Sequence, residues 1–483
     1  MTAATLDPRA PAAPAAPPTR RGAEAFMLLF AAVIATCAVA AITYARTGTV
    51  STAVLWYGAG FAGLYALAHL GIRRFAPYAD PLLLPLMAVL NGIGLAMIYR
   101  IDEAFVDRAH RLGQSAPSGN APLQMVWTAI GIGIFLLVLV TVRDHRVLAR
   151  YSYTAGLVGL GLLLLPAVPG VGTTINGARL WVRLGPVSIQ PSEFAKILLL
   201  IFLAGYLVQK RDVLSLVTHS FLGLPLPRAR DLGPVIVAWA ASLAVLIVEK
   251  DLGSSLLFFG MFLVVLYVAT ERVSWLLIGL VLFAVGAYTS YKLFAHVQER
   301  VDVWLHPFQG NNPLGKSYQL VQGLFGFATG GLFGTGWGRG RPDIVPFART
   351  DFILASLGEE IGLIGVMAML MMYALIVVRG LRAALRVRDS FGKLLAVGLA
   401  FSFALQVFVT VGGVTRLIPL TGLTLPFVSY GGSSLIANAA LIALLIRVSD
   451  ASRRPPQVPG SAPLVDPAAA RQLADAPTQV VRR

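Results

Sequence analysis

The chain has 483 residues, of which 57% are hydrophobic and only 13% charged, with a mean hydropathy of +0.74. Soluble domains carry about 25% charged residues, so this composition excludes a soluble globular protein and points to an all-α polytopic membrane protein. The net charge of +16 is assigned to loop topology signals and not to nucleic acid, because the basic residues gather in short loops between apolar runs.

Residues 1–23 open with a Pro/Ala-rich tail (DPRAPAAPAAPPTR) that cannot bury a core and is expected to be disordered. Arg20 and Arg21 precede an apolar run too long for a signal-peptide core, so it reads as a retained helix. Cys37 lies in that run and is the only cysteine, which leaves no intramolecular disulfide and no cysteine metal cluster.

Twelve apolar runs approach the ~20 residues that a spanning helix needs. They cover about 24–45, 51–72, 81–100, 122–142, 152–168, 191–209, 233–249, 251–270, 274–295, 352–378, 392–413 and 424–447. The two runs that meet at Glu249–Gly253 read as two spans with a tight turn or as one broken helix; two spans keep the parity consistent. With the N-terminus inside, cytoplasmic loops hold Arg73 and Arg74, Arg143 to Arg150, Lys210 and Arg211, Arg379 to Lys393, and Arg447 to Arg454. Both termini are then cytoplasmic. Residues 451–483 form a second tail of low complexity, again expected to be disordered.

Two outer segments depart from this charge pattern. Residues 171–190 carry Arg179, Trp181 and Arg183. An aromatic between two arginines at the interface suits a sugar or lipid head group, with guanidiniums pairing to phosphate; it equally suits an interfacial tryptophan anchor. Directly after it, Glu193 and Lys196 stand three apart on one helix face at the mouth of a span. Charges there need a partner or a polar cavity. At the next charged break, Asp251 reads as a helix cap.

The second outer segment, residues 294–351, is far longer than the usual connection of about 4–6 residues. It holds Arg300, Lys316, Gln319, Gln322, Arg339, Arg341 and Arg349, and basic residues on this face suggest an anionic ligand. Its run GTGWGRG lacks the βαβ context of a dinucleotide fingerprint, and QLVQGLFGFATGGLF suits a short helix lying on the membrane. The segment ends on Asp351, placed to act as a general base or as a helix cap. Glu359 and Glu360 lie about two turns further on. The closing run RLIPLTGLTLPFVSYGGSS, which includes Ser429, implies irregular backbone at membrane depth, and such backbone must be buried or line a cavity.

NGARLWVRLG with QPSEFAK, DLGSS, TDFILASLGEEIGLIG and PLTGLTLPFVSYGGSS resemble, in order, the motifs of the SEDS family (shape, elongation, division and sporulation) over about residues 81–448. The resemblance is closer to the RodA elongation branch than to the FtsW division branch. It implies a ten-helix core within residues 73–450, with residues 24–72 as two additional N-terminal helices. It implies a bacterial cytoplasmic-membrane glycosyltransferase that polymerises lipid II at the outer face, working with a class B penicillin-binding protein. The family's essential aspartate falls on Asp351, its tryptophan on Trp181, and its charged pair on Glu193 and Lys196. Where the family often has histidine, this chain has Arg349.

On that reading Asp351 takes the proton from the acceptor sugar hydroxyl. Arg179, Arg183, Lys196 or loop arginines such as Arg300 then offset charge on the leaving pyrophosphate, alone or with Mg²⁺ or Mn²⁺. No metal-ligand cluster is visible, and Asp351 is the only candidate ligand. The competing classes are a lipid II flippase, since broken helices also suit transporters, and a non-catalytic scaffold.

Overall fold

The computed structural model describes residues 19–175, 178–185, 187–215, 219–221, 224–226, 240–241, 244 and 251–455. Among these, ten helices are long and apolar enough to cross a membrane. In chain order, α1 is Arg21–Thr47, α2 Ala53–Phe75, α3 Leu83–Arg111, α4 Ala121–Thr141 and the shorter α5 Ser152–Leu164. Next come α6 Pro191–Ser215, α7 Leu252–Thr270, α8 Val273–Leu293, α9 Ala295–Leu305 and α10 Tyr318–Gly330. The chain closes with α11 Ile353–Arg386, α12 Ser390–Val414 and α13 Gly432–Arg453.

Ten of the twelve expected spans therefore form as long apolar helices. The run at 152–168 gives only a short helix and a 3₁₀ turn. All but three residues of the expected span 233–249 and the charged pair Glu249 and Lys250 lie outside the described residues, as do most of both expected tails. The first helix starts at Arg21 and the last ends at Arg453, each a few residues into a stretch read as tail.

Burial sorts the helices. The apolar windows of α3 and α13 are 83% and 89% buried, whereas those of α2 and α8 are 28% buried. The first two form the middle of the bundle; the other two lie at its periphery. Uniformly apolar sequence suits either place, so contacts decide. The segment read as an outer loop at 171–190 is a three-stranded antiparallel sheet, β1 Gly172–Ile175, β2 Ala178–Leu184 and β3 Val187–Ile189. A short hairpin, β4 His219–Phe221 with β5 Leu224–Leu226, follows α6.

Two irregular stretches position the site. The first interrupts α11 at Gly362, whose φ of 68° and ψ of −178° favour glycine. Four backbone groups freed by that break find partners in residues 331–336. Leu363 N–H donates to Gly331 O at 2.9 Å and Ile364 N–H to Leu332 O at 3.1 Å. Thr335 N–H donates to Glu359 O at 2.9 Å and Gly336 N–H to Glu360 O at 3.0 Å. The second stretch is the closing run at 415–431, irregular as its prolines and glycines lead one to expect. Its buried carbonyls are met by side chains from the helices. Tyr373 Oη donates to Pro426 O at 2.6 Å, Gln406 Nε2 to Thr424 O at 3.0 Å and Asn91 Nδ2 to Phe427 O at 3.3 Å. Unpaired carbonyls at this depth are costly, so these three side chains make the irregular path tenable.

Candidate active site

Asp351 stands at the entry to α11, just before the fully buried Phe352. The preceding backbone is held on the closing run: Tyr430 N–H donates to Arg349 O at 2.8 Å, and Ser429 Oγ donates to Thr350 O at 2.7 Å. Ser429 Oγ also accepts from Leu425 N–H at 2.9 Å. These bonds fix Asp351 against residues distant in sequence.

The Asp351 side chain is half-buried and borders a cavity of about 320 Å³. The polar lining includes His296, Glu299, Arg300, Lys316 and Gln319. The first three lie on α9, where spacings of three and four residues bring them to one face. Across the cavity, Thr421 and Gly422 contribute the wall from the closing run. Arg300 Nη1 donates to Leu420 O at 2.7 Å, which ties α9 to that wall. Burial pushes the Asp351 carboxyl up to about 6; Arg300 opposes this, and Asp251 adds to it. Such a value places the proton-accepting form near the working range of a general base.

Asp251 caps α7: it accepts from Ser254 N–H at 3.0 Å and from Ser254 Oγ at 2.5 Å. Burial raises its carboxyl, against the pull of those bonds and of Arg300. Arg300 is therefore a cation between two acidic side chains. A second cavity, of about 580 Å³ and mostly apolar, lies between α7, α8 and α9, with Phe259, Phe283, Tyr288 and Ile418 in its wall. Arg300 and Thr421 border both cavities. A polar chamber thus adjoins an apolar groove at one guanidinium.

The remaining sequence candidates fall elsewhere. Arg349 turns away from the cavity, to Asp102 at 3.4 Å and over the Phe105 ring at 4.6 Å. Gln322 lies on α10 one turn beyond Gln319, half-buried, and does not border the cavity. Trp181 pairs with Thr173 across the sheet, Arg179 Nη2 donates to Val168 O at 3.0 Å, and Arg183 is exposed opposite Ser188. Glu193 and Lys196 are both buried. Lys196 Nζ donates to Glu193 Oε2 at 2.6 Å and to Gln406 Oε1 at 2.7 Å, with Asn438 Oδ1 at 3.5 Å. That arrangement fixes α6 to α12 and α13. The sequence reading left His296, Glu299 and Gly422 out of the site. The periodic spacing within 295–305 was the available signal for the first two.

Among the described residues no group of three or more His, Cys, Asp or Glu side chains converges as metal ligands. The donors present therefore do not fit a protein-built metal centre, and the positive charge beside Asp351 is that of Arg300.

A bundle of apolar helices whose polar chamber, holding Asp351 and Glu299, adjoins an apolar groove suits a membrane protein that handles an amphiphile. The family model for "Cell cycle protein", that of FtsW, RodA and SpoVE, matches residues 81–454. The chain belongs to this family, the SEDS family, as a multi-pass membrane protein of its RodA-like branch. The chain is 53% identical to "Peptidoglycan glycosyltransferase RodA" of Mycobacterium tuberculosis (strain ATCC 25618 / H37Rv) over 440 residues, 91% of this chain and 92% of that protein. It is 32% identical to "Stage V sporulation protein E" of Bacillus subtilis (strain 168), over 77% of this chain and 98% of that one. A solved structure described as "Structural coordination of polymerization and crosslinking by a peptidoglycan synthase complex" superposes with a TM-score of 0.58 at 30% identity. That match covers 77% of this chain and 97% of the other. The crystal structure of the Thermus thermophilus rod shape determining protein RodA gives 0.52 at 27% identity, over 79% and 98%.

Proposed function

We propose that Asp351 is the general base of a lipid II polymerase whose polar chamber opens on the outer face of the cytoplasmic membrane. The chain is a peptidoglycan glycosyltransferase, and its near relatives bear that activity in their names along 91% of its length. One observation carries the residue assignment: the chamber holding Asp351 and the apolar groove meet at Arg300. A lipid-linked sugar pyrophosphate has the same division, with an isoprenoid for the groove, a saccharide for the chamber and two phosphates at the border.

In the reaction, Asp351 accepts the proton of the acceptor N-acetylglucosamine 4-hydroxyl. The oxygen forms a bond to the donor's anomeric carbon as the bond from that carbon to the pyrophosphate oxygen breaks, with inversion. The undecaprenyl pyrophosphate leaves with the electron pair, and Arg300 offsets its charge. Trp181, Arg179 and Arg183 form an outer rim for the head group. Glu193 and Lys196 hold the frame. Arg349, Ser429 and Gln322 act at one remove, through the segment before Asp351 and through α10. A divalent cation, Mg²⁺ or Mn²⁺, would come with the pyrophosphate of the substrate, while Asp351 stays free to take the proton. The crosslinking partner is a class B penicillin-binding protein, in keeping with the complex that the solved relative is described as forming. Cell elongation is the process served. The N- and C-termini lie in the cytoplasm, and the 294–351 segment lies outside.

The test is purified protein with lipid II in detergent, where sidedness is abolished. Glycan polymer on a gel supports the polymerase; lipid II left as monomer, with head-group translocation once the protein is in liposomes, favours a flippase instead.

A further inference from the structure

The match to the family begins at residue 81, after both α1 and α2. The two solved relatives use 97% and 98% of their own length on less than four-fifths of this chain. These helices are therefore an addition to the family core, and their place in the fold says what they do. The inner end of α1 is tied by Glu24 to Arg21 and His69. The outer end reaches the loop that leads to the site.

That outer contact is close. Trp337 packs on a small cluster of Ala38, Val39 and Ile42 from α1, Val54 from α2 and Ala96 from α3. At Gly338, with φ at +84°, a β-carbon would come within 3.1 Å of Ala45 Cβ and 3.3 Å of Ile42 O. The loop backbone lies directly on α1 here. Arg46 pairs with Glu103 and Asp107 near the end of α3. From the same stretch of α3, Arg100 donates to Glu360 Oε1 at 2.7 Å and to Gly340 O at 2.6 Å, and Arg108 donates to Asp343 O at 2.6 Å.

The loop is in turn bonded to the helix that starts at the catalytic carboxylate. Gly338 N–H donates to Glu360 Oε2 at 3.0 Å, and Arg341 N–H donates to Glu359 Oε1 at 2.9 Å. Residues 353–361, ahead of the break at Gly362, are almost wholly buried and have Asp351 at their entry. A short rigid helix so held transmits any shift of the loop to its first turn.

We infer that α1 and α2 are a positioning clamp for the active site, acting through the Trp337–Gly338 contact on the Glu359–Glu360 end of the helix led by Asp351. Trp337 and Ile42 are positioning residues of the reaction although neither borders the cavity. The assignment rests on Asp351 as the reacting carboxylate.

The test uses the full chain in nanodiscs with lipid II, in four forms: Ile42→Ala, Trp337→Ala, the double variant and the conservative Trp337→Phe. Four quantities are read: kcat, KM, amide hydrogen exchange over 336–341, and the thermal midpoint. A displacement of about 1 Å at a reacting group costs up to about 100-fold; the indirect shift here is expected to lower kcat about tenfold in each single variant, with KM unchanged. Exchange at Gly338 and Arg341 rises. The double variant is no slower than the worse single one, because both remove one contact, and Trp337→Phe recovers most of kcat. Wild-type kcat and exchange in both single variants would overturn the clamp. So would losses that multiply in the double variant, or that follow the thermal midpoint across all four forms. An Asp351→Asn control that still polymerises overturns the catalytic reading instead, while the exchange data continue to judge the clamp.

Discussion

The coupling between Arg300 and Asp351 predicts a movable pH profile. A β-carbon at Gly422 would lie 3.9 Å from Asp351 Oδ2 and 4.0 Å from Arg300 Nη2, so the two charges stand within about 8 Å of each other. At that separation and an effective dielectric constant of about 20, the attraction is about 2 kcal/mol, or roughly 1.5 pH units in the carboxyl's titration. The cavity is open to solvent, which reduces this to about one unit. The sign follows from the chemistry: the base must be ionised, and Arg300 favours the ionised form. In the wild type, kcat/KM should fall tenfold per unit below the carboxyl's value of about 6. In Arg300→Gln the acid limb should move up by about one unit, toward 7. In Arg300→Lys it should stay near its wild-type position. The assay is the initial rate of glycan formation from pH 4.5 to 8.5 at low lipid II. The plateau will also drop in Arg300→Gln, since the same guanidinium faces the pyrophosphate, but the limb's position is read independently of its height. An acid limb that stays in place when the positive charge is removed refutes the pairing.

Other substitutions probe the frame. Lys196→Met leaves Glu193 as a buried carboxylate without its cation and should cost about 3–5 kcal/mol in a denaturant melt in detergent. Adding Glu193→Gln should recover a large part, and a single variant as stable as wild type contradicts the structural role. Gly422→Ala forces a side chain onto a backbone at φ +79°, with a cost of about 1–2 kcal/mol. It also sets a methyl group between Asp351 and Arg300, so activity should fall several-fold; unchanged stability and rate would mean that the wall is looser than its geometry. Trp181→Ala separates rim from anchor: weaker lipid II binding with an intact fold supports head-group contact, and wild-type affinity assigns the indole to the membrane interface.

Much of this architecture can be read from the chain, and the exceptions have physical causes. The runs at 81–100 and 424–447 are marked by apolar length alone, which needs no knowledge of partners. The break at Gly362 is not marked, because 352–378 reads as a single span whose only charges are Glu359 and Glu360. It forms where residues 331–336, distant in sequence, supply the missing hydrogen bonds. The sheet at 172–189 had a legible signal in the alternation Arg179-Leu180-Trp181-Val182-Arg183-Leu184. A reading tuned to helices passed over it. Asp351 draws notice in the sequence as a carboxylate where the long loop meets the apolar run at 352. Arg349, two residues earlier, was read as a ligand residue from its charge in the long loop. Asp102, on a distant helix, draws its side chain the other way.

The most direct measurement is polymerisation of lipid II by purified Asp351→Asn protein, folded by its thermal melt and compared with wild type and Asp351→Glu. Loss of a general base lowers rates by about 10²–10⁴-fold. The asparagine variant should therefore yield almost no glycan while still binding lipid II, and the glutamate variant should retain a measurable fraction. Glycan made by Asp351→Asn at the wild-type rate would contradict the role given to this carboxylate.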